Sequence, residues 1–292
     1  MFRTICLVCN SHHISRIIDL GMHPFADTFI PKSRLSESEP VYPLSVDLCS
    51  RCGQIQTSCI TDPEERYSLY DYSYTSSSSQ FAKHHWSEYA IEVSKKVNLP
   101  HNSFIIEIGS NDGFLAEQFK NQGHRVLGVD PSDAMAKLAK ERGIDTFVGL
   151  FNSENAKEIQ ETFGKAQLIV ANNVFNHSDN PQDFMKAVES LLDKDGTFVF
   201  ESPYWLSTVE TKKFDQIYHE HVSYFTIKSA QKVFQSAGLE VQDVGLVNYH
   251  GGSIRVFAKR KEDIQAESVL AKEKVEKEES FGLFNQKTYA VF

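Results

Sequence analysis

The sequence predicts an α/β protein: a mostly parallel, Rossmann-like sheet of seven strands, preceded by a small metal-binding domain. Three observations carry this reading. From residue 104 onward short apolar runs alternate with amphipathic stretches, as parallel strands do with their crossover helices. The first of those runs ends in a glycine-rich turn and the second in an acid. Ahead of both stand two Cys-x-x-Cys pairs, Cys6 with Cys9 and Cys49 with Cys52.

Composition bounds the rest. The 292 residues are 41% hydrophobic and 24% charged, which suits a folded chain of two or three domains and excludes a disordered one. A formal charge of −9 opposes the phosphate attraction that nucleic-acid binding needs. No run approaches the roughly 20 apolar residues of a membrane span, and MFRTICLVCN meets the first cysteines without a signal-peptide core. The expectation is a soluble, cytoplasmic protein with no nucleic-acid or membrane partner.

Residues 1–66 read as a zinc-binding domain. Each Cys-x-x-Cys folds as a tight turn presenting two thiolates to one tetrahedral ion, and Gly53 supplies a permissive backbone after the second. Four thiolates leave no open position, so the zinc is structural. Cys59 is left over as an inert thiol, and His12, His13 or His23 could serve as a ligand only if one pair failed. Residues 67–98 form a join: Tyr67, Tyr70, Tyr72 and Tyr74, a serine run, then a helix over 80–97. Four tyrosines exceed what a flexible linker needs; they either cover the zinc domain or line a pocket.

Residues 99–260 carry candidate strands at 104–108, 125–129, 145–148, 167–171, 196–201, 240–247 and 253–259, with a helix at 228–237. The first strand runs into Gly109-Ser110-Asn111-Asp112-Gly113, at the carboxyl edge where nucleotide-like ligands bind. Asp130 follows the second strand, 21 residues beyond Gly109, where an acid accepts hydrogen bonds from the ribose hydroxyls of an adenosine. NAD is disfavoured, because Asn111 stands where a second glycine would let backbone approach a pyrophosphate. S-Adenosylmethionine has no pyrophosphate, so Asn111 is tolerable and could meet its amino-acid end; Glu107 before the turn points the same way. Beyond residue 260 a charged helix is expected to Ser280, and the start of a strand at 288–292.

Taken together, Glu107-Ile-Gly-Ser-Asn-Asp-Gly113, the double Cys-x-x-Cys, the tyrosine-rich join, Tyr218-His-Glu-His-Val-Ser-Tyr-Phe225 and His250-Gly-Gly-Ser253 resemble the deoxysugar C-methyltransferases, from Cys6 to about Arg260. The resemblance implies a zinc-binding domain, a class I S-adenosylmethionine-dependent methyltransferase domain, and methyl transfer to carbon 3 of a nucleotide-linked 4-keto sugar. It also implies a further C-terminal α/β domain, of which residues 261–292 would be a helix and the truncated start; a separate polypeptide is the candidate source of the remainder.

The same resemblance gives roles to residues that are ambiguous alone. Asn172 and Asn173 would face the cofactor beside Glu107, Gly109, Ser110, Asn111, Gly113 and Asp130, while Phe151 lies against adenine or in the core. His177 belongs to the substrate pocket or to the surface, and Tyr218, Glu220 and His221 are proton-transfer groups or a charged turn. Tyr72 matches an active-site tyrosine, with Tyr74 the alternative. A carbon beside a ketone ionises only with a base over its C–H bond and a donor at the enolate oxygen. His221 is the expected base, Glu220 or a neighbour fixes its tautomer or stabilises its protonated form, and Tyr218 or His177 donates to the enolate. The step needs no metal. Two other classes remain open: an O- or N-methyltransferase, and a non-catalytic zinc module that binds a protein partner.

Overall fold

The first strands form around the cysteine turns. In the computed structural model, which describes residues 1–26, 30–62, 75–264 and 268–291, β1 (Ile14–His23), β2 (Tyr42–Cys49) and β3 (Ile55–Thr57) form an antiparallel sheet. The register brings Ile14 opposite Cys49, placing the second cysteine turn beside the first. Gly53 takes a left-handed φ of +74°, and a Cβ there would sit 2.6 Å from the Phe284 ring, so glycine is needed both for the turn and for that approach. A fourth strand completes this sheet from far along the chain. It is β9 (Ser223–Tyr224), paired with β3 through Ile55 opposite Tyr224 and Gln56 opposite Ser223.

Helix α1 (Gln80–Lys96) starts where the Ser79 hydroxyl accepts the Ala82 N–H, and it buries Ala82, Trp86, Tyr89, Ala90 and Val93 along one face. It leads into the main sheet: β4 (Phe104–Ile108), β5 (Arg125–Asp130), β6 (Asp145–Val148), β7 (Ala166–Asn172), β8 (Leu192–Pro203), β10 (Leu239–Val247) and β11 (Ser253–Arg260). Their order is β10-β11-β8-β7-β4-β5-β6. Strands β4 to β8 run parallel, and β11 is inserted antiparallel between β8 and β10. This is the mostly parallel, seven-stranded class I methyltransferase sheet that the resemblance implies, with all seven predicted strands present.

Alternation along the central strands divides the core into two layers. Ile105, Leu168, Val170 and Val199 pack with Trp86, Tyr89 and Phe119, under α1 and α2 (Phe114–Asn121). Their neighbours Ile106, Ile169, Phe198 and Phe200 face the other way, onto Phe175, Phe184, Phe225 and Phe234. The second layer is covered by α4 (Ser153–Phe163), α5 (Pro181–Leu191) and α7 (Ile227–Gln235). Helices α3 (Asp133–Glu141) and α6 (Trp205–Thr211) follow β5 and β8.

The last residues differ from expectation. The charged helix begins only at Val269 (α8, Val269–Ser280), after a 3-10 turn at Lys261–Asp263. Its Glu278 is fully buried and accepts from the N–H groups of Ile227 (2.6 Å) and Lys228 (3.2 Å) and from the Tyr204 hydroxyl (2.9 Å), capping the start of α7. Where a strand was expected, Gln286–Val291 is a 3-10 turn. Tyr289 is buried against Trp205, accepting its indole N–H at 2.9 Å and donating to the Leu283 carbonyl at 2.7 Å; this packing overrides the β preference of the local sequence. Gln286 donates to the Arg16 carbonyl, tying the tail to β1.

Candidate functional site

The metal-binding residues converge as their spacing predicts. One ligand atom from each of Cys6, Cys9, Cys49 and Cys52 lies within 4.8 Å of every other, and this is the metal-ligand cluster found among the described residues. The Cys6–Cys52 and Cys9–Cys49 sulfurs are 3.5 and 3.7 Å apart. A tetrahedral site with Zn–S bonds of about 2.3 Å has sulfur–sulfur edges of about 3.8 Å, so the four thiolates fit zinc. Hydrogen bonds shared among the sulfurs push the Cys49 thiol down and those of Cys6 and Cys52 up, since four buried thiolates cannot coexist without a cation. Two of the three histidine alternatives are engaged elsewhere, His12 with the Thr4 carbonyl and His23 with the Leu20 carbonyl, and none, His13 included, belongs to the cysteine cluster found among the described residues. Burial pushes the Cys59 thiol up, as suits an inert residue.

The glycine turn follows β4. Gly109, Asn111 and Gly113 all have positive φ, and a Cβ on Gly109 would approach Val174 to 2.8 Å. Asp130 at the end of β5 accepts the Asn111 N–H on one oxygen and the Ser132 N–H on the other, each at 2.9 Å. Each oxygen keeps a lone pair for a further donor. Nearby, Glu107 Oε2, Ser110 Oγ and Asn173 Oδ1 are buried with no hydrogen-bond partner, an arrangement suited to a polar ligand. Burial holds the Glu107 carboxyl well above the ordinary range. Asn172 ends β7 beside this turn, with the Asn173 N–H bound to the Glu201 carbonyl.

Asn111 has a structural task as well. Its side-chain oxygen accepts the Ser76 N–H at 2.9 Å, while Asp112 accepts the Ser76 and Ser77 hydroxyls and pairs with Arg142. The serine run is thereby fastened to the glycine turn, a role its linker-like composition conceals. Phe151 packs edge-on against Phe184, 4.9 Å between centroids, at the margin of the core.

A cavity of about 540 Å³ adjoins this region. His23, Pro24, Ala26 and Leu44 of the zinc-binding domain form one wall, and Asn173, His177, Tyr218, Glu220, His221 and His250 lie on the others. The structure thus brings His177, Tyr218, Glu220 and His221 together. Tyr67, Tyr70, Tyr72 and Tyr74 lie outside the described residues.

The protonation pattern of His221 follows from its contacts. Nδ1 lies 2.8 Å from the Gln216 carbonyl, which can only accept, so the ring proton is on Nδ1; Nε2 then accepts the Tyr218 hydroxyl at 2.8 Å. Gln216, through its backbone, fixes the tautomer in place of the expected Glu220. The Glu220 carboxylate instead approaches His177 Nδ1, at 3.8 Å, and the His177 and His221 rings are 5.1 Å apart. Burial pushes the His221 imidazole down to about 4, leaving it neutral with Nε2 unprotonated and able to accept.

The backbone around His221 is held by the zinc-binding domain. The Thr57 hydroxyl donates to the His221 carbonyl at 2.6 Å and the Thr57 N–H to the Val222 carbonyl at 2.9 Å. Phe25 and Tyr42 pack edge-on against His219. Neither Thr57 nor Gln216 carries a local motif that could have marked it.

Known proteins share these features. A family model described as "Methyltransferase domain" matches residues 81–244, and one described as "Putative zinc binding domain" matches residues 6–67. The C-methyltransferase NovU of Streptomyces niveus is 32% identical over 253 residues, covering 87% of this chain and 60% of that protein. The uncharacterized methyltransferase C70.08c of Schizosaccharomyces pombe is 29% identical over 115 residues, 38% of this chain and 44% of that protein. The chain thus spans less than two thirds of either relative. A solved S-adenosylmethionine-dependent methyltransferase from Clostridium acetobutylicum superposes with a TM-score of 0.49 at 16% identity, covering 63% of this chain and 93% of that one.

Proposed function

We propose that this chain, which belongs to the methyltransferase domain family, methylates carbon 3 of a nucleotide-linked 4-keto deoxysugar. The observation that carries the reading is the Gln216–His221–Tyr218 relay, a neutral imidazole whose unprotonated nitrogen faces a phenol in a cavity beside the glycine turn. The likeness to a C-methyltransferase supports the choice of carbon as acceptor.

Asp130 holds the ribose hydroxyls of S-adenosylmethionine, and Ser110, Asn173 and Glu107 meet its amino-acid and polar groups. S-Adenosylmethionine supplies a methyl group on a sulfonium, which a carbon nucleophile can take directly once its C–H bond has been ionised. The Tyr218–His221 pair provides that nucleophile: the Tyr218 oxygen takes the carbon 3 proton as its own hydroxyl proton passes to Nε2, and the Gln216 carbonyl steadies the resulting imidazolium. Glu220 approaches His177, where its negative charge favours a protonated ring. Cys6, Cys9, Cys49 and Cys52 hold a structural zinc, away from the reacting atoms.

The test is mass spectrometry after incubation with labelled S-adenosylmethionine and a panel of 4-keto sugar nucleotides and hydroxyl acceptors. The expected product is a sugar nucleotide heavier by one methylene, with the label on carbon 3. His221→Ala should lower its formation by about 10²–10⁴-fold with cofactor affinity retained. Label on oxygen or nitrogen would replace this reading with O- or N-methylation.

A further inference from the structure

The His250-Gly251-Gly252-Ser253 turn has no part in the reaction described so far. It joins β10 to β11, and residues 250 to 252 all have left-handed backbone, with φ of +45°, +80° and +115°. For a histidine this conformation is disfavoured and persists only when its surroundings enforce it. Here they do. Lys213 Nζ donates to the Gly251 carbonyl, the Tyr204 N–H to the Gly252 carbonyl and the Gly252 N–H to the Tyr249 carbonyl, at 3.0, 3.0 and 2.9 Å. The preceding Tyr249 is buried and stacks on His85, 3.9 Å between centroids. The turn is held on three sides, and its histidine lines the cavity.

Several of the histidine and tyrosine donors lining that cavity already have partners. His221 uses both ring nitrogens, and the Tyr218 hydroxyl proton is directed at Nε2. His177 faces Glu220, and His23 is bound to the Leu20 carbonyl. Among the described residues His250 has no hydrogen bond or ion pair, so its imidazole is uncommitted. Burial and the nearby His85 oppose a protonated ring, whereas the buried Glu201 and Asp215 on the cavity wall favour one, and the net direction is downward. An anion forming in the cavity adds to the side that favours protonation.

We propose that His250 is a catalytic residue that donates its ring N–H to the carbonyl oxygen of the substrate as that oxygen becomes an enolate. This rests on the methyl-transfer reading above. When the carbon 3 proton passes to the Tyr218–His221 pair, the C–H electrons form the bond between carbons 3 and 4, and the carbonyl π pair moves onto oxygen. His250 holds that oxygen and keeps its own proton. The electrons return as carbon 3 takes the methyl group, the carbonyl reforms and the thioether leaves.

Two substitutions suit the left-handed backbone. Glycine removes the ring and accepts the conformation freely, while asparagine tolerates it and keeps a donor. The assay is deuterium wash-in at carbon 3 of a 4-keto sugar nucleotide in heavy water, with S-adenosylhomocysteine present and no methyl transfer. His250→Gly should exchange about 10²–10³-fold more slowly than wild type, the usual worth of one oxyanion donor, with S-adenosylmethionine affinity within about twofold. Added imidazole should restore at least about tenfold, and His250→Asn should be intermediate. Exchange by His250→Gly within about threefold of wild type overturns the proposal, as does a loss that imidazole fails to recover. Wild-type protein that neither exchanges nor methylates any 4-keto sugar nucleotide overturns the methyl-transfer reading, and this role with it.

Discussion

Removing zinc should disable catalysis without abolishing cofactor binding, because the metal-binding domain holds the backbone of His221. The perturbation is chelation under reducing conditions, or Cys49→Ser. Four-thiolate sites bind zinc with apparent energies of about 10–16 kcal/mol, which matches or exceeds the whole stability of a typical domain, about 5–15 kcal/mol. A domain whose sheet has three strands of its own among the described residues should therefore lose its order with the metal. Two hydrogen bonds from Thr57 to the 221–222 backbone go with it, at 2.6 and 2.9 Å. At about 1 kcal/mol each, their loss lowers the population of the ordered His221 loop by about 30-fold. The glycine turn and Asp130 belong to the other sheet, so S-adenosylmethionine should bind within about threefold of wild type. Metal content, titration calorimetry, methyl transfer and hydrogen exchange at Val222–Tyr224 test each link. Metal-free protein with full turnover and an unchanged melting temperature would refute the argument.

Two further predictions concern single carboxylates. Asp130→Ala should weaken S-adenosylmethionine binding by about 1.5–3 kcal/mol, at least tenfold by calorimetry; equal affinity, or tighter binding of NAD, would remove the cofactor assignment. Burial pushes the Glu278 carboxyl up from 4.5 to about 7, so the folded state favours its protonated form. That contribution is complete below the unfolded value and is lost as pH rises through about 7. Urea denaturation should show wild type losing up to about 3 kcal/mol between pH 4.5 and 8 relative to Glu278→Gln; parallel pH profiles would contradict it.

What could be read from the sequence was what neighbouring residues decide. Cysteines paired with two residues between them, apolar runs of strand length and an acid 21 residues beyond Gly109 are local or periodic signals, and the structure places them as expected. The orientation of His221 was out of reach because it depends on the Gln216 backbone carbonyl, a group every residue has. Glu220 adjoins His221 in sequence but approaches His177. Ser76 and Ser77 have a linker's composition and acquire meaning only through Asp112, 35 residues on from Ser77. The tail from Thr288 has strand-like residues but turns because Trp205 offers Tyr289 a buried partner, 84 residues away.

The pairing of β3 with β9 also sets an order of events during synthesis. Thr57 and His221 are 164 residues apart, so the metal-binding sheet emerges from the ribosome with β3 as an open edge until just over three quarters of these 292 residues have been made. Contacts this distant in sequence form late, and an unpaired edge invites association with other chains. Early zinc capture would fix the cysteine turns but leave that edge exposed, and the arrival of Ser223 and Tyr224 closes it while setting His221 in the wall of the cavity. Burial of a vulnerable strand and assembly of the His221 loop are then one folding step.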